Sequence, residues 1–227
     1  MKIGILQPGY LPWLGFFEQM HSTDLFVILD DVQYDKKSWR NRNKIRTKDG
    51  WIWLTVPVIT KGAFSQKTKD VMINNDIPWQ RKHLKSLETN YKKASYYKDY
   101  MVFFQELYSK KWEYLVELDM AIIQFIKEQL NITTKLTFSS SLEVSGNKNE
   151  KILNICKKVG AAALYDGASA ENFIDKNLFS KEGVALEFQQ YNHPVYPQLF
   201  QPFIPYMSVI DLLFNCGQQS LVVINKI

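Results

Sequence analysis

Three stretches carry the residue types that could recognise or transform a small molecule. The first, QPGYLPWLGFF at 7–17, sets two prolines and two glycines beside aromatic side chains, so it predicts either a rigid ligand wall or a tight turn whose aromatics cap the core. The second, DDVQYDKKSWRNRN at 30–43, supplies carboxylates, amides and guanidinium groups, which suit recognition of amides, hydroxyls and phosphates. The third is FQQYNHPVYPQ at 188–198.

Two residues are candidates for a general base. His193 follows a predicted strand among polar side chains, and a neutral imidazole there could take a proton from an attacking amine or hydroxyl. Asp30 ends a buried strand, where a carboxylate could do the same or could orient a ligand. The structural alternatives are a histidine that orders its own loop and an acid that caps one. Of the other histidines, we expect His21 to face solvent, and His83 either to reach the cleft or to pack.

The expected substrate contacts are polar or aromatic side chains from these stretches, with His83 added from a predicted helix. They are Gln7, Tyr10, Trp13, Asp31, Gln33, Tyr34, Trp39, Asn41, Arg42, Asn43, His83, Tyr191, Tyr196 and Gln198. No metal site is expected. Cys156 and Cys216 lie in predicted helices with apolar neighbours, so they are predicted to be buried free thiols.

The elements that would position these residues begin with a strand–helix–strand unit. Residues Lys2 to Gln7 and Asp24 to Asp30 are predicted as buried strands, with a short helix between Pro12 and Met20. This order outlines a right-handed parallel βαβ unit, like those that bind nucleotides. Since ligands bind outside the carboxyl ends of parallel strands, Gln7 and Asp30 should meet at one hollow, together with Asn41 and His193.

The rest of the chain continues the α/β pattern. A strand is predicted at 51–58, and three helical stretches at 78–91, 97–108 and 112–130 form a helical subregion of about 78–131, taken as scaffold. Further strands are predicted at 135–142, 161–165 and 184–190, and helices at 147–159 and 208–215, with Ser208 as an N-cap and Gly217 beyond the end. The prediction is one α/β domain over 1–227, a parallel or mixed sheet flanked by helices with a helical insertion.

Composition narrows the function classes. The chain has 227 residues, is 46% hydrophobic and has a formal charge of +5, which is ordinary for a globular protein and does not demand a nucleic-acid partner. Basic residues crowd into 36–48 beside Trp39, which is compatible with a phosphate-bearing ligand. No apolar run reaches the roughly 20 residues of a membrane span. Free thiols fit a reducing compartment, and the N-terminal residues have neither the long apolar core nor the cleavage pattern of a signal peptide, so a cytoplasmic protein is expected. The sequence contains no GxSxG, P-loop, GxGxxG, HExxH or CxxC motif, which argues against the corresponding enzyme classes.

Several motifs together carry a family resemblance. QPGYLPWLGFF, then VQY and WRNRN, then WLTVPV, YNHPVYPQ and SVIDLLFN occur in this order over nearly the whole chain, which resembles the WbqC-like family. That resemblance implies a role in building bacterial O-antigens or other surface polysaccharides. The expected activity is transfer of a small acyl or aminoacyl group, glycyl among the candidates, to the amine of a nucleotide-linked amino sugar.

The donor and the alternatives stay open at this point. The donor could be a thioester, an aminoacyl-tRNA or an amino acid activated by ATP. No other cofactor and no nucleic acid other than such a tRNA is expected. A homodimer is also among the expectations. The front of the chain also resembles HIGH-motif nucleotidyltransferases, although Phe16 stands where that motif has its second histidine. The alternatives are therefore a nucleotidyltransferase or ATP-dependent ligase that activates a small acid, and a noncatalytic protein that binds sugar nucleotides.

Overall fold

The computed structural model describes residues 1–36, 38–60 and 65–225. Its strands are β1 (Lys2–Leu6), β2 (Leu25–Ile28), β3 (Arg42–Thr47), β4 (Gly50–Thr55), β5 (Lys135–Phe138), β6 (Ala163–Asp166) and β7 (Ala185–Phe188). Its helices are α1 (Leu14–His21), α2 (Trp79–Tyr91), α3 (Tyr97–Ser109), α4 (Leu115–Gln129), α5 (Asn149–Val159), α6 (Lys176–Lys181), α7 (Val209–Cys216) and α8 (Ser220–Ile224). The predicted α/β class, with a parallel sheet flanked by helices, is confirmed.

The main sheet has five parallel strands in the order β5-β2-β1-β6-β7. Its side chains alternate between two packed faces, as the pleat requires. Phe26 of β2 belongs to one apolar cluster and Val27 to the other. Gly4 of β1 lies on the Phe26 side, where a Cβ atom would come within 2.8 Å of that ring. The glycine therefore lets β1 and the Phe26 ring approach closely.

Helices cover both faces of the sheet. α5 and α6 pack on one face, where Leu153, Cys156 and Phe179 meet the inward side chains of β1 and β2. On the other face, α1, α7 and α8 share a larger cluster with the three helices α2–α4, which the chain inserts between β4 and β5. Phe103 and Phe125 stack with ring centroids 3.6 Å apart and so join α3 to α4. Both cysteines are buried and free, as predicted.

An antiparallel hairpin of β3 and β4, paired from Arg42–Thr55 to Thr47–Gly50, precedes the inserted helices. The predicted strand at 51–58 therefore exists in part, but it pairs with β3 and stands outside the main sheet. β3 falls in a stretch that was predicted as a ligand loop, and the short helices α6 and α8 were not predicted. Ser208 caps α7 as predicted, since its Oγ accepts a hydrogen bond from the Ile210 N–H. Across the described ranges, no helix is long and apolar enough to cross a membrane.

Candidate functional site at the carboxyl edge of the sheet

The carboxyl edge of the sheet is the place where open parallel sheets usually bind ligands. From β1 the chain moves outward through β2 to β5, and then crosses to the other side of β1 for β6 and β7. Such a reversal of strand order leaves a gap above the strand ends, which is the usual ligand position in this architecture. Gln7 follows β1, Asp30 follows β2 after one residue, and Asp166 ends β6.

Contacts at this edge join segments that are distant in sequence. Arg40 donates from Nη1 to the Gln7 carbonyl oxygen at 3.1 Å, and the Thr68 hydroxyl donates to Gln7 Oε1 at 3.3 Å. The Lys69 N–H donates to the Asp30 carbonyl at 2.8 Å. The structure thus brings together Gln7, Asp30 and the start of the hairpin, and it adds Arg40 and the short 3-10 turn at Thr68–Asp70.

Asp30 and Asp31 both anchor the turn that follows β5. Asp30 Oδ1 accepts hydrogen bonds from the Ser139 hydroxyl at 3.1 Å and the Ser140 N–H at 3.0 Å, and Oδ2 accepts from the Ser140 hydroxyl at 2.7 Å. Asp31 forms an ion pair of 2.6 Å with Lys151. Burial raises the pKa of Asp31, but the hydrogen bonds from Lys151 and Ser139 outweigh it, so the pKa lies below its usual value. Among the described residues, Ser140 alone donates to Asp30 Oδ2, which leaves this oxygen one acceptor position for a further donor.

A buried polar cluster lies beside this edge. It contains Asp119, which was not among the contacts predicted from the sequence. We define the polar cluster as Tyr34, Arg40 and Asp119. Tyr34 is 4% exposed and Asp119 of α4 is 1% exposed. Tyr34 OH, Arg40 Nε and Asp119 Oδ1 are buried atoms that find no hydrogen-bond partner among the described residues. Since buried polar atoms are nearly always paired, three orphans in one cluster call for an explanation.

The charges of the polar cluster influence one another. Burial raises the pKa of Asp119 well above its usual value, and the positive charge of Arg40 opposes this only in part. Burial also lowers the pKa of Arg40 and raises that of Tyr34, on which the charge of Asp119 acts as well. The cluster therefore combines a desolvated guanidinium with a carboxyl group for which the protonated form is favoured.

The hairpin presents a surface of tryptophans interleaved with cations. The Arg42 guanidinium lies 4.6 Å from the centroid of Trp53, and Lys44 Nζ lies 4.1 Å from that of Trp51. Trp39, which is 47% exposed, packs on Trp53 at 4.9 Å. Cations over indole faces are held by cation–π attraction, and an exposed indole beside cations can stack on a nucleobase. Of the predicted basic run at 36–48, Lys37 lies outside the described residues.

Two expected ligand contacts lie in the core. Tyr10 is fully buried, which agrees with a turn whose aromatic side chains cap the core and not with a ligand wall at this residue. Its hydroxyl bonds to His83 Nδ1 at 2.8 Å and to the Tyr108 hydroxyl, and Trp79 packs on the His83 ring. Burial lowers the pKa of His83 to about 4. These aromatic residues fasten the helical insertion to the loop after β1.

Tyr196 and Gln198 also turn inward, toward a buried aspartate. Asp211 of α7 accepts hydrogen bonds of 2.8 Å from Tyr196 OH, Gln198 Nε2 and Tyr91 OH. Burial raises the pKa of Asp211, while these three hydrogen bonds counteract the rise. Asp211 is fully buried, and it ties the loop after β7 to α2 and α7. Tyr196 and Gln198 therefore have structural partners in the described protein.

His193 lies in a loop whose contacts are local. Its Nδ1 bonds to the Pro194 carbonyl at 3.0 Å, and its Nε2 accepts a hydrogen bond from the Tyr206 N–H at 3.1 Å. Burial lowers the pKa of His193, which favours the neutral ring. With Nδ1 donating and Nε2 accepting, the ring has no lone pair left for a substrate proton. The neighbouring Tyr191 makes an edge contact with Trp13 at 5.5 Å, and Trp13 is half-buried.

The remaining predicted contacts support the backbone of the hairpin and of the loop before it. Asn41 Nδ2 donates to the Val56 carbonyl at 2.7 Å, and Asn43 Nδ2 donates to the Leu11 carbonyl at 2.6 Å. Gln33 is exposed and forms an isolated bridge with Lys67. His21 is exposed as expected. Within the described ranges, no three His, Cys, Asp or Glu side chains are grouped so that they could hold a metal ion.

Asp166 is a further carboxyl group at the carboxyl edge of the sheet, and it was not among the candidates predicted from the sequence. It lies at the end of β6, and its Oδ1 accepts a hydrogen bond from the Gly167 N–H at 2.7 Å. Burial raises its pKa to about 6, while that hydrogen bond acts in the opposite direction. An Asp-Gly pair at a predicted strand end was the available signal, and it also marks an ordinary turn.

The fold and its polar carboxyl edge define an α/β protein with an open parallel sheet and a helical insertion over one face. The chain belongs to the WbqC-like protein family, whose model matches residues 7–223. It is similar to the uncharacterized protein Rv1507c of Mycobacterium tuberculosis, with 34% identity over 221 residues that cover 96% of this chain and 95% of that protein. No solved structure matches the chain.

Proposed function

We propose that this protein is a transferase that places a small acyl or aminoacyl group, such as glycyl, on the amine of a nucleotide-linked amino sugar. The product would enter an O-antigen or another bacterial surface polysaccharide. The observation that carries the proposal is the juxtaposition, at the carboxyl edge of β1 and β2, of an exposed tryptophan, basic side chains and buried polar atoms without partners. A nucleotide-linked sugar has a part that suits each of these features.

The nucleotide part of this substrate suits the hairpin. Its base would stack on Trp39, which is exposed beside the Trp53–Arg42 pair. Its diphosphate would lie against Arg42, because a guanidinium group matches phosphate oxygens in charge and geometry. The sugar amine would then lie toward Gln7 and Asp30, which the contacts of Arg40 and Lys69 place at the same edge.

The transfer step needs a proton acceptor for the attacking amine. Asp30 and His193 are the proposed candidates, and Asp30 fits the step better because Oδ2 retains an acceptor position. His193 would first have to release the Tyr206 N–H. We propose direct attack of the amine on the acyl carbonyl, in which the amine forms the new C–N bond, the donor's leaving group departs and Asp30 takes the proton. In this step the acyl group passes directly from the donor to the amine, without a covalent enzyme intermediate.

The experiment that tests this function is a mass-spectrometric screen of amino-sugar nucleotides with thioester, aminoacyl-tRNA and ATP-plus-amino-acid donors. We expect one combination to give an acceptor whose mass increases by an acyl or aminoacyl group. A mass gain that appears only with ATP and magnesium would favour the ligase alternative. If no amino-sugar nucleotide gains mass with any donor, the proposal is contradicted and a noncatalytic sugar-nucleotide-binding protein is favoured.

The proton acceptor is tested with two matched variants. Asp30→Asn keeps the shape of the side chain and can still bond to Ser140, so it should bind the sugar nucleotide and lose turnover by at least about a hundredfold. His193→Gln should keep most of the turnover. If His193→Gln loses turnover with unchanged binding while Asp30→Asn stays active, the assignments are reversed.

A further inference from the structure

The polar cluster lies where the inserted helices meet the carboxyl edge of the sheet. The Leu115 N–H, at the start of α4, donates to the Val71 carbonyl at 2.8 Å, directly after the 3-10 turn that contains Thr68. Asp119 is one helical turn beyond Leu115 and therefore lies on the same side of α4. Thr68 in turn bonds to Gln7 at 3.3 Å. Asp119 also acts on the charge of Arg40, which donates to the Gln7 carbonyl, so Asp119 lies close to the edge that carries Gln7.

Three features of the cluster favour a ligand over a purely structural role. Its unpaired atoms are of complementary kinds: an acceptor on Asp119, a cationic donor on Arg40 and a hydroxyl on Tyr34. No described residue lies within ion-pair distance of Arg40, although the charges of Asp35 and Asp119 act on it and much of its side chain is removed from water. Arg40 is half-buried, so this member of the cluster reaches the surface although its Nε is buried.

The pattern of unpaired atoms selects a class of ligand. A desolvated guanidinium is best satisfied by a carboxylate or a polarised acyl oxygen, and Tyr34 can add a hydrogen bond to the same oxygen. A buried carboxyl group is best satisfied by an amine. A small molecule that carries both groups a few bonds apart is an α-amino acid or its acyl form.

We infer that Tyr34, Arg40 and Asp119 form the subsite for a small α-amino acid or aminoacyl group, with the amine on Asp119 and the acyl oxygen on Arg40 and Tyr34. This inference rests on the proposed function, of which it names the donor class. It also assigns Asp119, which lies in a helix that the sequence marked as scaffold, to substrate binding.

Binding of a free amino acid has a measurable proton balance. Because burial raises the pKa of Asp119 well above its usual value, the unliganded protein favours the protonated carboxyl. An incoming ammonium group stabilises the carboxylate, so binding should release a proton to the buffer. Calorimetric enthalpies of binding should therefore differ between phosphate and Tris buffers, and Asp119→Asn should remove that difference.

The test uses glycine, glycolate, acetate and methylamine as probes of the full chain by calorimetry. We expect glycine to bind. Acetate lacks the ammonium group, methylamine lacks the carboxylate, and glycolate has a hydroxyl in place of the amine, so each should bind at least about tenfold more weakly than glycine. Asp119→Asn should weaken glycine binding at least about tenfold, since it leaves the ammonium without its charge partner. Asp99→Asn, on an exposed position of α3, is the matched control and should bind as the wild type does.

The outcomes separate this inference from the proposed function. Glycine binding that depends on Asp119 supports the subsite even if the mass-spectrometric screen shows no transfer. Equal binding of glycolate and glycine, unchanged binding by a folded Asp119→Asn variant, or no glycine binding at millimolar concentration would overturn the subsite. A transfer activity with a donor that carries no amine would overturn it as well, while leaving the proposed function intact. Tyr34→Phe, which removes only the hydroxyl, should weaken binding less than Asp119→Asn.

Discussion

At the scale of the residue, chemical type could be predicted from the sequence, but the direction of each side chain could not. Tyr10, Tyr196 and Gln198 have the polar tips of ligand contacts, yet each tip is satisfied in the interior, by His83 or by Asp211. Asp119 is the converse case. It is buried on α4 together with Leu115 and Ile122, whose spacing is typical of the apolar face of a helix. An acidic residue on such a face was the available signal, and it was overlooked because the whole helix was interpreted as scaffold.

The buried His83 makes stability depend on pH in a defined window. Because burial lowers its pKa to about 4, the folded state does not take up the proton that an unfolded histidine gains near pH 6.5. This contribution to stability is present above pH 6.5 and is lost as the pH falls toward 4, by up to roughly 3 kcal/mol. Urea unfolding of the wild type and His83→Gln between pH 7 and pH 4.5 measures the difference. Parallel pH profiles for the two proteins would show that His83 is not the cause.

At the scale of the element, the sequence pattern predicted the five strands of the main sheet and the helices α1, α5 and α7. It did not predict the short helices α6 and α8 or the pairing of β3 with β4. β3 and β4 form a hairpin through the tight connection Lys48-Asp49. Gly50, which follows this connection, has a positive φ of 140°, a conformation that glycine adopts readily. Asp-Gly between two strand-like runs is a known hairpin signal. The density of basic residues led to a ligand-loop interpretation instead. Basic side chains and a hairpin are compatible, since Arg42 and Lys44 lie over the tryptophan rings of the same hairpin.

The Asp31–Lys151 ion pair fastens the end of β2 to α5. Its side chains are 13% and 10% exposed, and its N–O distance is 2.6 Å. Lys151→Met leaves the Asp31 carboxylate without its counterion and should cost about 2–4 kcal/mol of unfolding free energy. Adding Asp31→Asn should recover a large part of that loss, because no uncompensated charge remains. Denaturant unfolding of both single variants and the double variant measures the coupling, and additive losses would contradict it.

At the scale of the whole molecule, the functional interpretation depends on segments that only the fold brings together. The rule for parallel sheets predicted that Gln7 and Asp30 would meet, and the contacts of Arg40 and Lys69 place both at one edge. The contribution of α4 could not be predicted, because it depends on how the helical insertion packs. The hydrogen bonds of His193 run to Pro194 and Tyr206 in its own part of the chain, which agrees with the alternative of a histidine that orders its own loop.

The most direct test of the account is the affinity of a uridine diphosphate amino sugar, measured by tryptophan fluorescence at low and high salt. The wild type should bind, and Trp39→Ala and Arg42→Gln should each weaken binding about tenfold at low salt. Arg42→Gln should also show the smaller salt dependence, because it lacks one phosphate contact. Lys98→Gln, on an exposed position of α3, should bind as the wild type does. Wild-type affinity in both hairpin variants would contradict the placement of the substrate at this edge of the sheet.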